Sequence, residues 1–175
     1  MLRIETVTRI VRSIVLAMSL LLAASSADAQ DRLGGHFGVV LPLMTHVDGA
    51  TTNVGDDFKL GFPMGITVKT STPWAFDLEL VPTLDPVEGG PINNVPLTIH
   101  PGVLRAFGGS WTGGLRMAFD IGNASWGFTP LLNKGFPMGR LTYFVEGVAP
   151  IRFQDDALGV THKAISLGVH VGVGF

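Results

Sequence analysis

The stretch Ile165-Ser166-Leu167-Gly168-Val169-His170-Val171-Gly172-Val173-Gly174-Phe175 places a large apolar side chain at every odd position and a small or polar one at every even position. Side chains alternate across a strand, so this is a strand with two unlike faces. A half-buried strand of a soluble sheet turns polar groups toward water. Here the second face is Ser, Gly, His, Gly and Gly, which suits a crowded interior.

The same period runs back through the chain. Phe58, Leu60, Phe62, Met64, Ile66 and Val68 alternate with Lys59, Gly61, Pro63, Gly65, Thr67 and Lys69. Trp74, Phe76, Leu78 and Leu80 oppose Asp77 and Glu79, and Leu115, Met117, Phe119 and Ile121 oppose Arg116 and Asp120. Leu141, Tyr143, Val145, Ala149, Ile151 and Phe153 oppose Glu146 and Arg152, while Leu33, Phe37, Val39 and Leu41 oppose His36. Two segments break the pattern. One phase carried through 95–107 from Val95, Leu97 and Ile99 turns Arg105 to the apolar side, so a β-bulge is expected near Pro101-Gly102, after which Arg105 points inward. In 126–132, only Trp126, Phe128 and Leu132 share a face.

Eight strands result, at 33–43, 56–69, 74–82, 95–107, 111–121, 126–132, 141–153 and 163–175. Connections 44–55, 83–94 and 154–162 are long and polar, whereas 70–73 and 108–110 are tight turns. Long and short links alternate, with two irregularities: 122–125 is short for its side and 133–140 is long.

The first thirty residues read differently. Arg3, Arg9 and Arg12 precede an apolar run from Ile14 to Ala24, and Ala27-Asp28-Ala29 offers a small-residue cleavage site. This pattern predicts a Sec-type signal peptide over 1–29, cleaved before Gln30, and one mature domain over 30–175. About eleven apolar residues make a helix of roughly 16 Å, too short for a hydrocarbon core of about 30 Å, so a membrane anchor is the weaker reading. Of 12 basic and 14 acidic side chains in the chain, three and two leave with the signal, and the near-neutral remainder gives no footprint for nucleic acid. With no cysteine, neither disulfides nor thiolate metal sites are available.

No mature stretch holds 18 consecutive apolar residues, and 23 glycines with 11 prolines disfavour long helices. The remaining way for so hydrophobic a chain to cross a bilayer is a closed barrel, because lipid offers backbone groups no partners. A terminal Phe175 after such a strand resembles bacterial outer-membrane barrels, and the layout resembles the small eight-stranded OmpA and OmpX type. The resemblance implies an all-β fold, a closed antiparallel eight-stranded transmembrane β-barrel with up-and-down meander topology. It also implies residence in the bacterial outer membrane, as a monomer among outer-membrane lipids and lipopolysaccharide. Phe175 is expected to serve as an assembly signal for the outer-membrane insertion machinery.

Eight strands enclose a space that side chains fill. The expected lumen charge network comprises Lys59, Lys69, Asp77, Glu79, Arg105, Arg116, Asp120, Glu146 and Arg152, paired because an unpartnered buried charge costs several kcal/mol. His36 and His170 are lumen histidines that approach each other if the first and last strands pair; a metal site there needs a third ligand, and no metal or cofactor is expected. Ser166, His162 and Glu146 are considered as a hydrolytic set and set aside, since Ser and His four apart on a strand are about 13 Å apart. The expected role is therefore structural or surface contact through the outer loops, not enzymatic. The rivals are a narrow gated passage for small or amphiphilic solutes, a lipid-modifying enzyme, and a soluble periplasmic lipocalin-like binding barrel.

Overall fold

The computed structural model describes residues 32–84, 96–122, 125–156 and 158–175; the predicted signal peptide and most of the predicted loop 83–94 lie outside them. The chain divides into Met1–Leu33 and Gly34–Phe175, and the second unit carries the fold. It is all-β, one antiparallel sheet of eleven strands: β1 (Leu33–Val47), β2 (Ala50–Asn53), β3 (Leu60–Gly61), β4 (Met64–Lys69), β5 (Trp74–Leu84), β6 (Leu97–Gly108), β7 (Trp111–Ile121), β8 (Ser125–Met138), β9 (Leu141–Val148), β10 (Ile151–Asp155) and β11 (Thr161–Gly174).

Pairing follows chain order and then returns to its start. β5 to β8 each pair with the next strand, β9 and β10 pair with β11, and β11 pairs with β1 from His36↔Gly174 to Val47↔Ala164. Two strands expected to be single are interrupted by proline, which has no N–H for the ladder. β3 and β4 meet β5 in one unbroken register on either side of Phe62-Pro63, and β9 and β10 do the same against β8 around Ala149-Pro150. The neighbouring backbone fills in: Phe62 N donates to Pro82 O, and Ser166 N donates to Pro150 O.

Several expectations need correction. The expected loop 44–55 is largely a β-hairpin, β1–β2, closed by Asp48-Gly49 with φ of 48° and 89°, a two-residue turn whose positive dihedrals match strand twist. β8 extends to Met138, so the expected long link 133–140 shrinks to Gly139-Arg140; Gly127 and Gly135 on its inner phase and Pro130 on its outer phase had blurred the alternation. There is no bulge at Pro101-Gly102, since β6 keeps one register against β5 throughout and against β7 until a shift between Ala106 and Gly108.

The sheet has one exposed and one buried face. On β5, Phe76 and Leu78 are exposed while Asp77 and Glu79 are buried; on β7, Leu115, Met117 and Phe119 are exposed while Arg116 and Ala118 are buried. The usual arrangement of a soluble sheet is reversed.

Candidate functional site

The buried face concentrates charge from six strands. Asp77 and Glu79 come from β5, Arg116 from β7, Glu146 from β9, His36 from β1, His170 from β11 and His100 from β6. Their phase follows from strand alternation, and cross-strand register brings them to one level: Glu79 lies opposite His100, Gly102 opposite Arg116, and Glu146 opposite His170. Gly102 matters here because a Cβ at that position would stand 2.6 Å from Arg116 Cγ. The missing side chain makes room for the arginine stem.

Arg116 is the hub. Its Nε donates to Asp77 Oδ2 at 2.8 Å, its Nη1 donates to Glu146 Oε1 at 3.0 Å, and the same Nη1 lies 3.4 Å from Glu79 Oε1. Thr67 Oγ1 donates to Asp77 Oδ1 at 2.7 Å, and Asn133 Nδ2 donates to Glu146 Oε2 at 3.3 Å. His36 Nε2 meets Glu79 Oε2 at 3.0 Å and His170 Nδ1 meets Glu146 Oε1 at 3.1 Å. The two imidazoles lie 6.2 Å apart between centroids, with the Phe144 ring edge-on to His170 at 4.8 Å.

A second cluster adjoins the first. Arg152 Nε lies 3.5 Å from Asp120 Oδ2, and Asp120 also accepts from Thr98 Oγ1 at 2.5 Å and from Ser125 Oγ. Arg152 Nη1 donates to Thr129 Oγ1 at 3.1 Å. His100 joins the clusters, and its protonation follows from its partners. Arg152 Nη2 has only hydrogens to offer, so at 3.0 Å His100 Nε2 accepts; Nδ1 then carries the proton and donates to Glu79 Oε1 at 3.0 Å. His100 is held as a neutral imidazole.

Three expected members of the network lie elsewhere. Arg105 is exposed on the apolar face, its guanidinium 5.4 Å from the Trp74 ring and 5.8 Å from the Phe107 ring. The cation rests on aromatic faces at a strand end, so the strand need not twist it inward. Lys59 pairs with Asp57 at 3.1 Å in the segment before β3, away from the hub, and Lys69 is exposed at the end of β4. The hydrolytic set is not assembled either: Ser166 Oγ bonds Thr45 Oγ1 at 2.9 Å, His162 bonds Asp48 and Asp156, and Glu146 bonds Arg116 and His170. Thr129 and Asn133 escaped the sequence reading, Thr67 was placed on this face but not in the network, and His100 was left unplaced beside the expected bulge. Unbroken alternation along β6 puts His100 on the Glu79 face, and it is the supposed bulge that hid it.

The hub stands between two cavities. One, of about 130 Å³, is lined by Glu79, His100, Arg152 and His170 beneath Val81 and Val148; the other, of about 150 Å³, is lined by His36, Asp77, Thr67 and Asn133. Arg116 and Glu146 line both. At one end of the sheet, His162 Nδ1 lies 2.5 Å from Asp48 Oδ2 and Nε2 lies 3.4 Å from Asp156 Oδ2, tying the β1–β2 turn to the β10–β11 connection. The bond to Asp48, then that to Asp156, raises the His162 pKa above its ordinary value; the bond to His162 lowers Asp48, and Val160 N–H foremost lowers Asp156.

No family model, curated protein or solved structure matches the chain. The chemistry must therefore be read from the residues themselves. An arginine wedged among three carboxylates and three imidazoles is suited to filling and bracing an interior, and to holding a cation.

Proposed function

We propose that the mature chain is a closed eight-stranded barrel of the bacterial outer membrane, resembling the OmpA and OmpX type, with a structural or surface-contact role through its outer loops. The observation that carries this reading is the inverted sheet, apolar outside and charged inside. Along β7 the outward set from Trp111 to Ile121 spans ten residue steps, about 33 Å at ~3.3 Å each, or about 25 Å at a strand tilt near 40°, which is the height of an outer-membrane apolar band. Aromatic girdles border it. Trp74, Phe107, Trp111, Phe136, Tyr143 and Phe175 are exposed at the tight-turn end, with Arg105 and Lys134 over the rings of Trp74 and Trp111; Trp126 stacks on Phe153 at the other. A soluble lipocalin-like barrel needs the opposite arrangement.

Fractionation with the outer membrane and heat-modifiable gel migration are the expected results, and release of mature protein by osmotic shock overturns the reading. Deletion of 48–53 or 156–160 should then leave the barrel intact and impair adhesion or envelope integrity; no change in either removes the loop role. The cavities flanking the Arg116 hub favour one second reading, passage of small solutes past a movable plug. Stepwise conductance in planar bilayers supports it, and silent bilayers reject it.

A further inference from the structure

We propose that the buried cluster around Glu79 is a binding site for one first-row divalent metal ion of the zinc class, held by Glu79, Glu146, His170 and His36. Two independent features of the cluster lead there.

The first is donor geometry. One ligand atom each from Glu79, Glu146 and His170 lies within 4.8 Å of the others, and all three residues are buried. Glu79 Oε2 stands 3.0 Å from His36 Nε2 and 4.0 Å from His170 Nδ1, and His170 Nδ1 stands 3.1 Å from Glu146 Oε1. A metal with bonds of about 2.0–2.2 Å separates its ligand atoms by roughly 3 Å at a right angle and little more than 4 Å across the site. The three contacts fall in that range, the 4.8 Å bound on Glu79, Glu146 and His170 needs about half an ångström of closure, and His36 joins through its contact with Glu79. Two imidazoles with two carboxylates suit zinc, cobalt or iron better than the oxygen-only preference of magnesium or calcium. Behind His36, Asp77 Oδ1 faces Nδ1 at 3.9 Å, and Asn133 holds the far oxygen of Glu146, the placement that outer-sphere groups take behind metal ligands. Glu79, Glu146 and His170 line one flanking cavity, and His36 and Glu146 line the other.

The second is charge. Asp77, Glu79 and Glu146 share a single permanent cation, Arg116, since Arg152 is matched by Asp120. His100 is fixed neutral by Arg152, so it offsets nothing. Two negative charges therefore remain buried, and uncompensated buried charge is costly. His36 and His170 bring ring nitrogens to the cluster and no permanent charge. One divalent cation neutralises the deficit in a single step.

The test uses the whole mature protein folded in detergent micelles, stripped with a strong chelator and titrated with Zn²⁺ and Co²⁺. One tightly held ion per chain is expected, with the visible absorption of four-coordinate Co²⁺ and a rise in Tm with Zn²⁺ concentration. E79Q and H170Q should each weaken binding at least tenfold, H36Q should do the same, and H162Q, in the outer clasp, should not. Folded wild-type protein that binds neither ion, or binding that H162Q abolishes while H36Q, H170Q and E79Q leave it intact, overturns the site. Should E79Q fail to fold, the wild-type stoichiometry and the half-buried H36Q decide between the same outcomes.

Discussion

Replacing Arg116 with methionine keeps the length of the stem and removes the charge, leaving Asp77, Glu79 and Glu146 facing one another on the buried face. Arg116 is 3 % exposed and donates two charge-assisted hydrogen bonds, at 2.8 and 3.0 Å. Each such bond contributes about 1.5–3 kcal/mol, or about 3–6 kcal/mol for the pair. Protonation of one carboxyl recovers part of that, and the value expected for breaking a buried pair is about 3–5 kcal/mol. R116M should therefore lower unfolding stability by about 3–5 kcal/mol, read from urea titrations in lipid vesicles by tryptophan fluorescence, with the denaturant slope unchanged. The companion R105A, which loses only exposed ring contacts, should cost less than about 1 kcal/mol. Adding E146Q to R116M removes one of the stranded charges, so the double variant should be less destabilised than the two single losses combined by at least about 1 kcal/mol. A loss under about 1 kcal/mol for R116M, or strict additivity with E146Q, refutes the claim that Arg116 organises the interior.

The remaining predictions concern the wall, the clasp and the seam. In G127A the new Cβ would sit 1.9 Å from Ile151 O, a backbone atom that cannot yield, so the yield of folded protein in a gel-shift assay should fall sharply; normal yield counts against the tight β8–β10 contact. His162 should titrate by NMR with a midpoint above 6.5, because its bonds to Asp48 and Asp156 favour the charged ring. Its raised pKa makes its contribution complete below about 6.5 and lost as pH rises through the folded value, while the lowered Asp48 and Asp156 contribute above about 3.8 and lose that as pH falls. Amide exchange at the Asp48-Gly49 turn should thus be slowest, after correction for intrinsic rates, between about pH 4 and 6.5, and H162A should flatten the profile; a midpoint at or below 6.5 contradicts the clasp. Deleting Phe175 removes the reciprocal bonds Phe175 N to Gly35 O and Gly35 N to Phe175 O and the ring against Gly35, so refolding should slow and the heat-modifiable fraction should drop; unaltered refolding rules out a role in closing the seam.

The strand period was the most legible part of the sequence. β7 falls at 111–121, as the alternation of Leu115, Met117, Phe119 and Ile121 with Arg116 and Asp120 requires. Legibility failed where the pattern lacked side chains to read or where a rule about charge was applied too strictly. Gly127 and Gly135 contribute nothing to an apolar count, so β8 looked half its length. Arg105 was turned inward on the premise that lipid-facing positions exclude arginine, but at a strand end its neighbours Trp74 and Phe107 provide a face to rest on. That single premise also left His100, beside the supposed bulge, without a place. Asp77, Glu79, Arg116 and Glu146 lie together on the buried face, yet which carboxylate meets which base depends on register across five strands, and one-residue shifts invisible in the sequence change every partner.

The pairing of β1 with β11 has a cost in chain entropy that no other ladder shares. Thr45 and Ser166, bonded across it at 2.9 Å, stand 121 residues apart, and closing a loop of that length costs about 2 kcal/mol more than closing one of ten residues. The two-residue hairpins can form early and alone, whereas this ladder rewards the chain only after nearly everything between its partners is already in order. It is expected to be the last contact made and the first to part, which gives the molecule a built-in line of opening along β1 and β11, beside His36 and His170.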